Sequence, residues 1–183
     1  MNASKASFED IALKYIDVVY RVAFGLCGKR NVADDLVQET FLKAFEKFDK
    51  FEKGTNCKLW LIRILRNTWI DRLRHKKVAG NVVPLEEEML EQSGDISESG
   101  LEHDDLLELF SDEQVIQALK YLPEDQRMTL LLIDVEQMSQ AEVAEITGVA
   151  VGTVKSRASR GRTELKKILE SYAREMGFAG GEK

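Results

Sequence analysis

Six cations, Lys155, Arg157, Arg160, Arg162, Lys166 and Lys167, recur at helical spacing between Val151 and Lys167, with the short polar residues Thr153, Ser156 and Ser159 set among the first of them. The chemistry on offer is recognition of DNA. The first residues of such a helix reach base edges in a major groove, and its later cations lie on phosphates. A second set, Asp34, Asp35 and Glu39, has the residue types that hold Mg²⁺ in nucleases and recombinases. Asp35 and Glu39 are four apart on one solvated helix face, and no histidine or distant third carboxylate joins them. Carboxylates near a helix N-terminus already have a favourable partner in the helix dipole. The expectation is no catalytic residue, no metal and no cofactor, and therefore a binding protein rather than an enzyme.

The cationic helix needs a partner to position it. Ser139 with Glu142 three residues on forms a capping box that starts a short helix. Gly148 sits where that helix must stop, since glycine takes the left-handed conformation without steric cost. Ala144 provides a small residue at the crossing, and Val154, Ala158 and Leu165 give the second helix an apolar inner face. The segment from Ser139 to Lys167 thus reads as a helix-turn-helix. Ahead of it, Val115, Ile116, Leu119 and Leu122 make one amphipathic helix. Pro123 opens the next, whose core is Met128, Leu130, Leu131, Leu132 and Ile133. A bare two-helix unit buries too little surface to be stable, so these helices supply its support.

The N-terminal block is read as three helices. Ile11, Tyr15, Val18, Val19, Val22 and Leu26 form a stripe ending near Gly25 and Gly28. Asp34 and Asp35 open a second helix, with Val37, Phe41, Leu42, Phe45 and Phe48 on its buried side. A third runs from about Lys58 to Lys77, with Leu61, Ile64, Leu65, Trp69 and Leu73 inside. Its outer face carries Arg63, Arg66, Arg72, Arg74, Lys76 and Lys77, with Trp60 and Trp69 nearby. Cations interleaved with aromatics grip backbone and stack unpaired bases, although Trp69 has the spacing of a core residue.

A net charge of −6 looks wrong for a DNA binder until it is divided along the chain. Residues 1–77 carry 16 Lys/Arg and 10 Asp/Glu; residues 78–113 carry 12 Asp/Glu and no Lys/Arg; residues 114–183 carry 10 of each. The acid is concentrated between two blocks that each hold a basic patch. The predicted class is all-α: two small helical domains, 1–77 and 113–183, joined by a flexible acidic linker, 78–112, with short helical pieces around Leu85 to Leu90 and Leu106 to Phe110. The linker is expected to act as a solvated tether; the sharper alternative is that its carboxylates rest on the basic faces when DNA is absent, in which case deleting Glu86 to Glu88 raises free-DNA affinity at low salt. No apolar run approaches a membrane span and no signal segment opens the chain, so a cytoplasmic protein without membrane insertion is expected. Cys27 and Cys57 form no CxxC pair, and His75 and His103 complete no zinc pattern, so both are expected to be free thiols.

One block suited to duplex and another suited to opened strands match a DNA site that is first recognised and then melted. A stand-alone helix-turn-helix repressor explains only the C-terminal block; a nuclease or recombinase needs the metal set doubted above.

The order of motifs resembles the extracytoplasmic-function sigma factors, small specificity subunits of bacterial RNA polymerase. The matching stretches are DDLVQETFLKAF (Asp34 to Phe45), GTNCKLWLIRILRNTWIDRLRHKK (Gly54 to Lys77), LPEDQRMTLLL (Leu122 to Leu132) and VGTVKSRASRGR (Val151 to Arg162). The resemblance implies core RNA polymerase and promoter DNA as partners, and an anti-sigma protein as inhibitor. It implies that Asp35, Leu36, Gln38 and Glu39 dock on polymerase. Asn56, Lys58, Trp60, Arg63, Asn67, Asp71, Arg72 and Arg74 would capture the minus-10 element, where a base flipped out of the stack enters a pocket. Lys155, Ser156, Ser159 and Arg160 would face the minus-35 major groove, with Thr153, Arg157 and Arg162 on phosphates. The linker would thread toward the polymerase active site. Cys57, Leu59 and Ser159 depart from the usual residues at their positions. The GTN-x-K-x-W form and the ending ESYAREMGF resemble the subgroup that governs thiol-oxidative stress, usually paired with a zinc-containing anti-sigma protein.

Overall fold

The computed structural model describes residues 3–52, 54–78 and 113–175, and every regular element among them is helical. The acidic linker, its helical pieces and Glu86 to Glu88 lie outside the described residues.

The N-terminal block contains α1 (Ala3–Ala12), α2 (Ile16–Cys27), α3 (Arg30–Glu46) and α4 (Cys57–Val78). The stripe from Ile11 to Leu26 is not one helix: a 3₁₀ turn, Leu13–Tyr15, separates α1 from α2. The break leaves α1 free to bring Phe8 edge-on to Phe41, Phe45 and Phe48, at ring-centroid distances of 6.4, 5.3 and 5.1 Å. Such edge contacts suit the aromatic quadrupole. Helix α2 runs through Gly25 and ends at Gly28.

Helix α3 starts at Arg30, about a turn before the predicted start, so Asp34 and Asp35 lie inside it. Its buried stripe is Ala33, Leu36, Val37, Thr40 and Ala44. The predicted stripe of Val37, Phe41, Leu42 and Phe45 is therefore partly wrong. Leu42 is 65% exposed and Phe45 46% exposed, because small residues and a threonine whose hydroxyl donates to the Leu36 carbonyl (2.6 Å) take the inner positions.

Helix α4 is capped by Asn56, whose Oδ1 accepts the Leu59 N–H at 3.1 Å. Its buried set, Leu59, Leu61, Ile62, Ile64, Leu65, Thr68 and Trp69, is wider than the predicted stripe. The reason is that α4 packs on α3 from its own block and also on the C-terminal block.

The C-terminal block contains α5 (Glu113–Lys120), α6 (Glu124–Leu130), α7 (Gln140–Thr147) and α8 (Val151–Glu175), with Pro123 at the N-cap of α6. A π-helical turn, Leu131–Val135, extends α6, and the Glu136 N–H donates to the Leu131 carbonyl at 3.0 Å. Residues Met128 to Leu132 are all buried, since this segment packs against α8 and also against α2. Single π turns of this kind reposition the side chains that follow them.

Both cysteines are free and buried. Burial pushes the Cys27 thiol up to about 12 and also raises Cys57. Since the thiolate is the reactive form, iodoacetamide near neutral pH is expected to label the folded chain slowly at both positions and the guanidinium-unfolded chain quickly, as read by intact mass.

Candidate nucleic-acid interface

The capping box at the start of α7 is complete. Ser139 Oγ accepts the Glu142 N–H at 3.2 Å, and Glu142 Oε2 accepts the Ser139 N–H at 2.9 Å. The bonds from Ser139 hold the Glu142 carboxyl below its ordinary range. Gly148 closes α7 at φ 70°, where a side chain would be strained. Val143, Ile146, Val154 and Ala158 are buried between α7 and α8. The sequence pattern and the geometry agree on a helix-turn-helix.

On the outer face of α8, Thr153, Lys155, Ser159, Arg160 and Arg162 are exposed, while Ser156 and Arg157 are half-buried. Arg157 Nε lies 2.9 Å from Asp125 Oδ2, and Arg162 makes a two-point contact with Asp134 at 3.0 and 2.6 Å. The bond to Asp134 raises the Arg162 pKa further. Two of the candidate phosphate ligands are thus held by carboxylates of their own block, whereas Lys155 and Arg160 make no ion pair among the described residues.

The candidate minus-10 residues do not share one open surface. Asn67, Asp71 and Arg74 are exposed, the last two 3.6 Å apart. Trp60 is half-buried, 4.9 Å from the Phe51 ring centroid. Trp69 is 7% exposed, and its ring N–H donates to Glu124, which belongs to the C-terminal block. Burial raises the Glu124 pKa, against the nearby Arg127 charge and the Trp69 bond. Cys57 and Leu59 are buried, which takes them out of any exposed base pocket. Asn56, Lys58 and Arg63 all meet carboxylates of the C-terminal block.

Arg72 turns toward α3: its Nε donates to Glu39 Oε2 at 2.8 Å and its NH2 to the Asp35 carbonyl at 2.9 Å. Lys43 adds a second cation 2.7 Å from Glu39. Partial burial would raise the Glu39 pKa, but the bonds from Lys43 and Arg72 outweigh it and the net shift is downward. A carboxylate so paired is not an open metal ligand. Of the four candidate docking residues, Asp35 and Gln38 are exposed and Glu39 is half-buried. Leu36 is a correction: it is 0% exposed and serves as core beneath the surface. Leu42, on the face of Asp35, Gln38 and Glu39, is the exposed apolar residue that apolar spacing alone assigned to the core.

The chain matches the Sigma-70 region 2 family over residues 11–78 and the Sigma-70 region 4 family over residues 112–165. It is 32% identical over 171 residues to the ECF RNA polymerase sigma factor SigW of Bacillus subtilis, covering 89% of each chain. It is 33% identical over 163 residues to the ECF RNA polymerase sigma factor EcfG of Rhodopseudomonas palustris, covering 89% of this chain and 85% of the relative. The chain belongs to the extracytoplasmic-function (ECF) RNA polymerase sigma factors of the sigma-70 family. A solved structure of the sigma factor RpoE with the anti-sigma factor NepR from Bartonella quintana superposes with a TM-score of 0.69 at 32% identity, over 89% of this chain and 96% of that one. As an ECF sigma factor, the protein directs transcription initiation by RNA polymerase. The repressor reading accounts only for the region 4 match. No helix among the described residues of this sigma factor is long and apolar enough to cross a membrane.

Proposed function

We propose that the three surfaces divide promoter recognition among them. The region 113–183 reads the minus-35 duplex, with Lys155, Ser156, Ser159 and Arg160 toward bases and Thr153, Arg157 and Arg162 toward phosphates. The region 1–77 docks on core polymerase and takes the minus-10 strand, and residues 78–112 connect them. The observation that supports this best is the exposed row of short polar and cationic side chains along α8, in one chain with an aromatic- and cation-bearing α4. Asn56, which caps α4, and Lys58, Trp60, Arg63, Asn67, Asp71, Arg72 and Arg74 on α4 line the strand-capturing segment. Exchanging base stacking for contacts with these side chains, once those now paired within the protein are released to DNA, is what drives local melting.

Docking falls to Asp35, Gln38 and Glu39, with Leu42 as the apolar contact one turn beyond Gln38 and Glu39 on the same face. Leu42→Glu and Glu39→Ala are expected to weaken co-elution with core polymerase, Leu42→Glu by about tenfold or more, as for an apolar residue at an interface centre. Duplex binding by the C-terminal block is expected to be unchanged. If both variants co-elute like the parent, the docking assignment fails.

Work on polymerase and promoter DNA supports a cytoplasmic location and a role in binding rather than catalysis. The RpoE relative was solved with an anti-sigma factor, and this chain is proposed to have such a partner too. The GTN-x-K-x-W and ESYAREMGF features support a thiol-oxidative stress role. The burial of Cys27 and Cys57 supports a sensing role for thiols of that partner rather than of this chain. A partner that co-purifies under reducing conditions and is released by diamide supports the subgroup; one released by no oxidant removes it.

A further inference from the structure

Two cations of α8 end on carboxylates of one neighbouring segment. Arg162 donates from Nε and NH2 to Asp134 at 3.0 and 2.6 Å. Arg157 Nε lies 2.9 Å from Asp125 Oδ2. Asp125 belongs to the first turn of α6 and Asp134 to the π turn that extends it. A close crossing holds this segment on α8: a Cβ on Gly161 would lie 3.1 Å from Leu130 Cδ1 and would press on that side chain. Gly161 adjoins Arg162, and Leu130 lies in sequence between the two aspartates, so the same crossing sets each carboxylate against its arginine. Asp134 is also pinned from behind. Gln137 Nε2 donates to the Asp134 carbonyl at 2.6 Å, and Gln137 holds φ 53°, a left-handed conformation uncommon outside glycine. Lys155 and Arg160, the long cations toward bases, make no ion pair among the described residues. We propose that Asp134, with Asp125 as its weaker companion, is a brake on DNA binding: in the unbound protein each carboxylate holds a guanidinium that would meet a phosphate, so duplex of any sequence must displace it.

This rests on the phosphate role proposed for Arg157 and Arg162. A carboxylate and a phosphate offer a guanidinium the same two-oxygen edge, so the fork that meets Asp134 is the fork that would meet DNA. One edge cannot serve both at once. The pinned backbone keeps Asp134 from following Arg162 toward the groove, so the pair parts rather than travels. It is open enough to part: the Arg162 and Asp134 side chains are 55% and 39% exposed. Exposed pairs of this kind contribute little and are screened by salt. Asp125 is the weaker brake, because it makes one contact and keeps the α6 N-terminal dipole as a partner when Arg157 leaves. Both carboxylates act on groups that face phosphates. They therefore lower the sequence-independent part of the affinity and leave preference among bases unchanged.

Asp134→Asn keeps the side-chain shape and removes its charge. Full-length parent, Asp134→Asn, Arg162→Ala and the double variant are titrated onto a fluorescein-labelled mixed-sequence duplex by anisotropy, from low to high potassium chloride. Asp134→Asn is expected to bind about fivefold more tightly at low salt, the upper end for an exposed pair. The gain is expected to shrink as salt rises. With Arg162 already alanine, the same change is expected to give about twofold or less, because no guanidinium remains to be released. Base preference, read by sequencing the bound fraction of a random duplex pool, is expected to stay the same. A loss of affinity in Asp134→Asn would make the carboxylate a support for Arg162 and overturn the brake. So would an equal gain with and without Arg162, a changed base preference, or no detectable binding by either the parent or Asp134→Asn. The phosphate role is read separately, from Arg162→Ala made on Asp134→Asn. No loss of affinity there removes that role; a loss there, without a gain from Asp134→Asn, removes only the brake.

Discussion

Arg160→Ala is expected to weaken minus-35 binding by ~1–3 kcal/mol and to relax preference at one base position. In affinity this is about five- to 150-fold. Arg160 is exposed, lies past the first turn of α8 and makes no ion pair among the described residues, so its guanidinium is available for two-point contact with a base edge. Arg162, two residues on, is expected to behave differently. It is clamped to Asp134 and would exchange that carboxylate for a phosphate. Its removal should lower affinity evenly across sequences and reduce the slope of log affinity against log salt by about one. Binding of duplex pools across a salt series separates the two. A uniform loss for Arg160→Ala, or a sequence-selective loss for Arg162→Ala, would reverse the roles.

Ile146→Ala is the second large effect, and it acts on the scaffold. Ile146 is 2% exposed and lies with Val143 against Val154 and Ala158. Truncating a buried isoleucine to alanine costs about 2–5 kcal/mol through lost transfer energy and the cavity left behind. That is a large share of a small domain's stability of roughly 5–15 kcal/mol. Denaturant melts should show the C-terminal block unfolding early while the N-terminal block holds, and minus-35 binding should fall although no DNA-facing side chain has changed. If the melt is unaltered, the packing assigned to the α7–α8 pair is wrong.

Much of this was legible in the residues because it is local. Ser139 and Glu142 announce a cap, Gly148 a left-handed stop, and Val154 and Ala158 a buried helix face; each feature depends on neighbours within a turn or two. What failed was nonlocal. Leu42 and Phe45 looked like core because they are apolar, but Ala33, Leu36, Thr40 and Ala44 fill the inner positions of α3, and nothing in its own periodicity shows that a threonine takes one of them. Leu36 was assigned to the docking surface by the family resemblance alone, and it is buried. Phe8 was missed because its aromatic partners lie more than thirty residues away. The wide buried arc of α4 has the same origin, since α4 also packs against the other block. That Glu136 would bury itself between Arg21 and Lys58 has no local signature, because both partners belong to the other block and Glu136 follows a π turn.

This chain gives RNA polymerase its promoter choice. The most direct measurement is in vitro transcription with purified bacterial core polymerase on a genomic fragment library, sequencing the transcript starts with and without the chain. Starts are expected to depend on the chain and to lie downstream of a shared pair of elements about two helical turns apart, with the upstream element lost in the Arg160→Ala variant. Fragments bound by the chain alone, with transcription unchanged by its addition, would contradict it.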